Sequence, residues 1–240
     1  MPFFLDRKSK LPRFWSNREL ERFAGLFLGD VVNVSAWQDQ DKEGRRYRDY
    51  FTHARSYAIT NYEAEARGFQ DAPGEIFLDL EKPLPEDLRR RFDVVFNHTV
   101  LEHVYEVRTA FRNLCALSRD VVVVVVPFLQ PMHGHYGDFW RFTPLTLKRL
   151  FEDEGFTLLY SSFNSDRSAS VYLFAIASRT PAVWAGKVGN DFSYAESRPA
   201  LDDYPAFVGA HALPNYAYAL SVLFRKLWRR LLGGLARLRY

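Results

Sequence analysis

The sequence predicts an α/β fold: a mostly parallel, doubly wound sheet of seven strands whose last strand runs antiparallel. Three observations predict it. Val121 to Val126 is a run of six valines. A strand covered on both faces needs such a continuous apolar pattern, and β-branching disfavours a helix there. Strands alternate with amphipathic helices through the middle of the chain, the pattern of parallel sheets with helical crossovers. Near residue 164 two strand-like runs are joined by a short turn-rich segment, which demands an antiparallel hairpin.

The elements follow in order. Residues 1–15 are basic and aromatic with two prolines and read as an arm. Ser16-Asn17-Arg18-Glu19 has the S-x-x-E capping-box pattern, followed by Leu20, Phe23, Ala24 and Phe27 at helical spacing; this predicts a helix over 17–28, ended by Gly29. Residues 31–36 read as the first strand, and Trp37 to Asp49 as a long polar loop. Residues 57–61 and 75–80 are the next strands, and Lys82-Pro83-Leu84-Pro85 breaks the chain. Phe92 to Phe96 is the fourth strand, ending in Asn97-His98-Thr99. Val104, Val107, Phe111, Leu114 and Cys115 predict a helix over 101–117. After the valine strand comes a dense loop, Pro127 to Phe142. Thr143-Pro144 then supplies an N-cap and a first-turn proline for a helix ended by Gly155. Residues 156–163 and 170–178 form the hairpin. Residues 180–214 have no clear period and hold four prolines. Leu220, Leu223, Phe224, Leu227, Trp228, Leu231, Leu232 and Leu235 make a continuous helical stripe. The expected organisation is 1–28 arm and helix, 29–180 α/β domain, 181–214 linker, and 215–240 basic amphipathic helix.

Composition narrows the classes. The chain has 240 residues, 48% hydrophobic and 25% charged, enough for one large α/β domain with appendages. One cysteine, Cys115, excludes an internal disulfide and fits a reducing, cytoplasmic compartment; its apolar setting makes it an inert buried thiol. No apolar core follows the basic start, so no signal peptide is expected. The formal charge of +3 comes from Arg225, Lys226, Arg229, Arg230, Arg237 and Arg239. Without them the chain carries 26 basic against 29 acidic groups, so the body is not a nucleic-acid-binding surface. An apolar stripe with those basic residues, no acid and Trp228 matches a helix lying on an anionic membrane, peripheral on the inner face. Docking on a partner protein or on its own domain is the other reading of 216–240.

The candidate site residues lie at strand ends, because ligands of open α/β sheets bind just outside the carboxyl ends of the strands. Asn97 and His98 end the fourth strand; Asp79 and Leu80 end the third, where Asp79 also suits a turn before Pro83. His133-Gly134-His135 offers a histidine that titrates near neutral pH and can take a hydroxyl proton. An H-x-H with Asp138 could also ligate a divalent ion, but the isolated pattern is weak and no metal is expected. Tyr136, Phe139 and Trp140 suit a sugar-stacking surface or a packed lid. Arg141 suits either a clamp on a carboxylate or phosphate, or an anchor for the loop.

The succession Val100-Leu101-Glu102-His103-Val104, Pro127 at the end of the next strand, Asp138 to Pro144 (D-F-W-R-F-T-P) and Gly155-Phe156 resembles class I S-adenosylmethionine (SAM)-dependent methyltransferases. It resembles above all the methyltransferase type 11-like proteins of bacterial surface-glycan clusters. The resemblance covers about residues 28–180. It implies a Rossmann-like sheet and SAM as cofactor. It places Ser35, Ala36 and Trp37 at the glycine-rich turn after strand 1, Asn61 at the ribose position, Asp79 and Leu80 at the adenine, and Asn97 and His98 under the methyl group. It makes His133 or His135 the base, and Tyr136, Trp140 and Arg141 substrate contacts. The implied reaction is methyl transfer to a hydroxyl or amine of a surface-glycan intermediate or related small acceptor. The glycine-rich motif is degenerate, since Ser35-Ala36-Trp37 lacks glycine and Asn61 replaces the usual acid. That departure motivates an alternative: a catalytically inactive methyltransferase-fold scaffold or binding module in a membrane-peripheral glycan assembly.

Overall fold

The computed structural model describes residues 6–63, 68–133, 137–166, 168–188, 208–209, 212, 220–221 and 223–228. Its frame is one seven-stranded sheet. The strands are β1 (Gly29–Val34), β2 (Ala54–Asn61), β3 (Glu75–Phe77), β4 (Phe92–His98), β5 (Ser118–Leu129), β6 (Thr157–Phe163) and β7 (Val171–Ser178). Their order across the sheet is β3-β2-β1-β4-β5-β7-β6. β1 to β5 pair in parallel, and β7 runs antiparallel to both β5 and β6. This is the class I methyltransferase form of the Rossmann-like fold, as the sequence predicts. From β1 the chain steps outward to β2 and β3, then returns to place β4 on the other side of β1. The carboxyl ends of β1 and β4 therefore flank the topological switch point.

The sheet alternates side chains between two cores. Val32, Val34, Val95, Val122, Val124 and Val126 face α2 (Val107–Leu117) and α3 (Pro144–Asp153), against Phe111, Leu114, Leu147 and Phe151. Val31, Val94, Phe96, Val121, Val123 and Val125 face α1 (Lys10–Ala24), against Leu20, Phe23 and Ala24. A short α4 (Pro181–Trp184) follows β7 and buries Trp184 beside Phe27. The valine run is fully central, as its composition requires.

Several elements differ from the sequence expectation: α1 ends at Ala24 rather than 28, β3 stops at Phe77 rather than 80, β5 runs on from the valines to Leu129, and α4 lies in the expected linker. Three further differences bear on the site. First, α1 begins at Lys10, seven residues before the capping box predicted. Asp6 makes the start instead, accepting the Lys8 and Ser9 amides, and Pro12 is tolerated because it falls in the first turn. Second, 101–117 is not one helix. Leu101–His103 is a separate 3₁₀ turn, entered through Thr99 in the left-handed region (φ 52°), and α2 starts only at Val107. Third, no α-helix joins β1 to β2 among the described residues. Residues 35–53 hold a 3₁₀ turn at Tyr47–Tyr50, and Tyr47, Tyr50 and Phe51 cover the sheet in a helix's place; the rings of Tyr47 and Phe51 lie 5.2 and 5.8 Å from that of Phe96. Two buried carboxylates organise this polar loop. Asp39 accepts from Asn33 Nδ2, the Tyr57 hydroxyl and the Arg48 amide, and Asp41 accepts from the Tyr50 hydroxyl.

Candidate active site

The β1 side of the switch point is a turn that does without glycine. Ser35 and Trp37 both take left-handed backbone (φ 58° and 49°). Such geometry is uncommon outside glycine and is held only where surrounding bonds enforce it. Here β2 enforces it. The Ser35 amide donates to Thr60 Oγ1 (3.2 Å), the Ala36 amide to the Thr60 carbonyl (3.1 Å), and the Trp37 amide to Asn61 Oδ1 (2.6 Å). Asn61 Nδ2 in turn donates to the Trp37 carbonyl and to Glu75 Oε1. The Asn61 amide is thus engaged on all sides in holding this turn. Trp37 lines a cleft of about 580 Å³ with Arg46, Arg48, Tyr57, Ile59 and Glu75.

The β3 and β4 sides are set differently. Asp79 Oδ1 accepts the Glu81 amide (2.8 Å), an Asx turn that leads into Pro83. Leu80 is buried, and its carbonyl accepts from Asn113. Asn97 is fully buried; its Nδ2 donates to the Val34 carbonyl (3.0 Å), lacing the end of β4 to the end of β1. Its Oδ1 has no hydrogen-bond partner among the described residues. A buried amide oxygen left unpaired costs about 1–3 kcal/mol, so this atom marks a place where a ligand N–H is wanted.

At the ends of β4 and β5, beneath α1, lies a chamber of titratable groups. His98 Nε2 is 2.8 Å from Ser16 Oγ, and Nδ1 is 3.1 Å from Thr99 Oγ1. Ser16 donates to the Arg13 carbonyl, and Thr99 Oγ1 accepts from Arg13. The arrangement satisfies every group if His98 carries its proton on Nε2. Burial, with Arg13 alongside, pushes the His98 pKa well below its usual value, so the ring is neutral. Glu102 is completely buried on the 3₁₀ turn, and burial pushes its carboxyl up to about 7. The His103 ring donates from Nδ1 to the Gly137 carbonyl (2.5 Å), and its pKa is lowered, chiefly by burial. His133 meets it edge-on at 5.0 Å.

The loop that brings His133 here is held by Asp138 and Arg141. Asp138 accepts the His133 amide (2.8 Å) and both guanidinium arms of Arg141, which hold its carboxyl far below the usual range. The remaining Arg141 donors go to the Gln130 and Trp140 carbonyls. Of the two roles the sequence left open for Arg141, this geometry is the loop anchor; no guanidinium N–H remains for an anion. Trp140 donates from its indole to the Tyr105 carbonyl and stays half-exposed beside Phe139 and Tyr105, over a groove of about 440 Å³. His135 and Tyr136 lie outside the described residues.

The structure therefore gathers Asn97, His98 and His133 at one edge, with Ser35, Ala36, Asn61 and Asp79 at the neighbouring strand ends. Sequence reasoning gave no place to Arg13 and Ser16, which reach the chamber only because α1 starts early. Glu102 reads in sequence as a helix-start acid, and nothing in its spacing signals that a 3₁₀ turn buries it.

No protein-family model matches the chain, and no curated protein matches it. Solved structures do resemble it. Magnesium protoporphyrin IX methyltransferase from Synechocystis, with bound S-adenosylhomocysteine (SAH), is 13% identical over 70% of this chain and 85% of that one, with a TM-score of 0.45. A 1,6-didemethyltoxoflavin-N1-methyltransferase from Burkholderia thailandensis is 16% identical over 69% and 80%, with a TM-score of 0.44. An S-adenosylmethionine-dependent methyltransferase from Mesorhizobium loti is 13% identical over 62% and 90%, with a TM-score of 0.43. Likeness of this degree adds nothing to the fold beyond what the strand order already shows.

Proposed function

We propose that this chain is a SAM-dependent methyltransferase acting on a hydroxyl or amine of a surface-glycan intermediate. The observation that carries this reading is the unpaired Oδ1 of buried Asn97 at the β1–β4 switch point of a methyltransferase-type sheet. An acceptor atom there fits the ammonium of the cofactor's amino-acid end, and the half-buried Asp79, two residues beyond β3, fits its nucleoside end. SAM, when bound, supplies an electrophilic methyl group. The chain's own residues hold the reactants in line, and His133 takes the proton that leaves the acceptor. The Asp138–Arg141 pair fixes the loop that aims this ring. The exposed rings of Phe139, Trp140 and Tyr105 suit the apolar face of a sugar. The tail, 216–240, holds such an enzyme on an anionic membrane where lipid-linked acceptors are assembled.

One observation favours a second reading, a non-catalytic scaffold of the same fold. The amides of Ser35, Ala36 and Trp37 and the Asn61 side chain, which would cradle the cofactor, are all closed onto β2. Calorimetric titration separates the two. Binding of SAM and SAH at micromolar concentration, weakened by Asn97→Leu, is expected. No heat and no thermal shift at millimolar ligand would establish the scaffold.

A further inference from the structure

Glu102, His103 and His133 converge beside the 3₁₀ turn that follows β4. The Glu102 carboxylate is fully buried, and neither oxygen has a hydrogen-bond partner among the described residues. An ionised carboxylate in that condition is strongly disfavoured: it either takes up a proton or is joined by a positive charge. His103 points a lone pair at it. A carbonyl can only accept, so the bond from His103 Nδ1 to Gly137 puts the proton on Nδ1 and leaves Nε2 as a base, 3.8 Å from Glu102 Oε1. This is the backbone bond that usually orients a metal-ligating histidine. His133 completes the group: its Nδ1, 3.3 Å from Asp138 Oδ2, is buried and has no hydrogen-bond partner among the described residues. One ligand-type atom from each of the three side chains lies within 4.8 Å of the others.

We propose that Glu102, His103 and His133 form a binding site for a first-row transition-metal dication of the Zn²⁺ class. Two imidazoles and one carboxylate suit such an ion rather than Mg²⁺ or Ca²⁺, which prefer oxygen ligands alone. The set is also that of zinc sites that keep a fourth position open, as distinct from closed structural sites. Bonds of about 2.1 Å place tetrahedral donors about 3.4 Å apart, so the present separations need only small side-chain adjustments. The surrounding charges permit it. Arg141 is neutralised by its bidentate pairing with Asp138. Arg13 acts on Glu102 from α1 and is bonded to the neutral Thr99 hydroxyl, so it keeps its charge, which the Glu102 carboxylate offsets.

The site shares His133 with the methyl-transfer reading, and a metal-bound ring cannot also be the base, which in the metal-loaded protein is then His135; the test of the site needs no SAM. The full chain is stripped with chelator, dialysed and titrated calorimetrically with ZnCl₂. One equivalent at micromolar or tighter affinity is expected. Glu102→Gln and His133→Ala should each weaken binding at least about 10-fold, while His53→Ala, far from the site, leaves it unchanged. Co²⁺ titration of the unaltered chain keeps the test sound if a variant fails to fold: intense visible d–d bands of a four-coordinate ion are expected. Absence of stoichiometric Zn²⁺ binding, weak octahedral Co²⁺ bands, or unchanged affinity in folded Glu102→Gln and His133→Ala would overturn the proposal.

Discussion

His98 sits between α1 and the end of β4 with both ring nitrogens engaged, by Ser16 and Thr99. Its pKa is lowered by burial and by Arg13, whereas in the unfolded chain it returns to about 6.5. Below that value the unfolded state binds a proton that the folded state refuses. Stability therefore falls as the pH drops below about 6.5, by at most about 1.4 kcal/mol per pH unit from this one group. His98→Gln keeps a neutral side chain able to bond Ser16 and removes the titration. Urea midpoints measured from pH 7.5 to 5.5 should fall less steeply in the variant than in the parent; parallel slopes would show that His98 does not resist protonation. Residues of this kind were partly legible. Three polar residues ending an apolar strand announce Asn97, His98 and Thr99. Glu102, two residues into the following turn, does not announce itself, because 3₁₀ and α geometry share the same sequence spacing at this length.

At the level of the element, α1 shows how a correct local pattern can carry a wrong meaning. Ser16-x-x-Glu19 matches a capping box, yet both residues lie in mid-helix and turn toward the sheet. Ser16 bonds His98. Glu19 accepts from the Tyr160 hydroxyl (2.6 Å), Ser162 Oγ (2.7 Å) and Arg22 (2.8 Å), clamping α1 onto β6. No sequence rule distinguishes a glutamate that bonds its own helix start from one that bonds a strand more than a hundred residues away. Glu19→Ala takes the acceptor from the Tyr160 and Ser162 hydroxyls, leaving Tyr160 its bond from Arg22, and opens a gap under the helix, so it should cost roughly 2–4 kcal/mol in unfolding free energy. Glu19→Gln, which keeps the volume, should cost less. Chemical denaturation of both variants checks this, and an alanine variant within 0.5 kcal/mol of the parent, on the order of a neutral surface change, would show that the clamp carries no stability. Elements governed by burial were read more securely: the valines of β5, the hairpin of β6 and β7, and the Thr143–Pro144 start of α3 all stand where their patterns place them.

The whole molecule is where charge and topology meet. The mostly parallel sheet with its antiparallel last strand was legible because strand succession and one short hairpin connection leave few topologies. The helix-free crossing from β1 to β2 was not, since aromatics scattered through a polar loop carry no period. The chain is also electrically divided: an acidic body carries a tail with six basic residues and no acid among its last sixteen residues. No helix among the described residues is long and apolar enough to cross a membrane. Where the tail is described, it is helical at residues 220–221 and 223–228, and Leu220, Leu223, Phe224, Leu227 and Trp228 are all exposed. An apolar face flanked by arginines and a lysine gains both burial and counter-charge at an anionic lipid surface, and the charge part is screened by salt. The full chain should co-sediment with vesicles containing phosphatidylserine and far less with neutral phosphatidylcholine vesicles. The bound fraction should drop when salt is raised to about 0.5 M, where the Debye length shrinks well below its physiological 8 Å. Deleting residues 216–240 should abolish sedimentation while leaving the unfolding transition of the sheet in place. Undiminished binding by the truncated chain would move the contact to the body, and binding to neither vesicle would leave the exposed face to a protein partner.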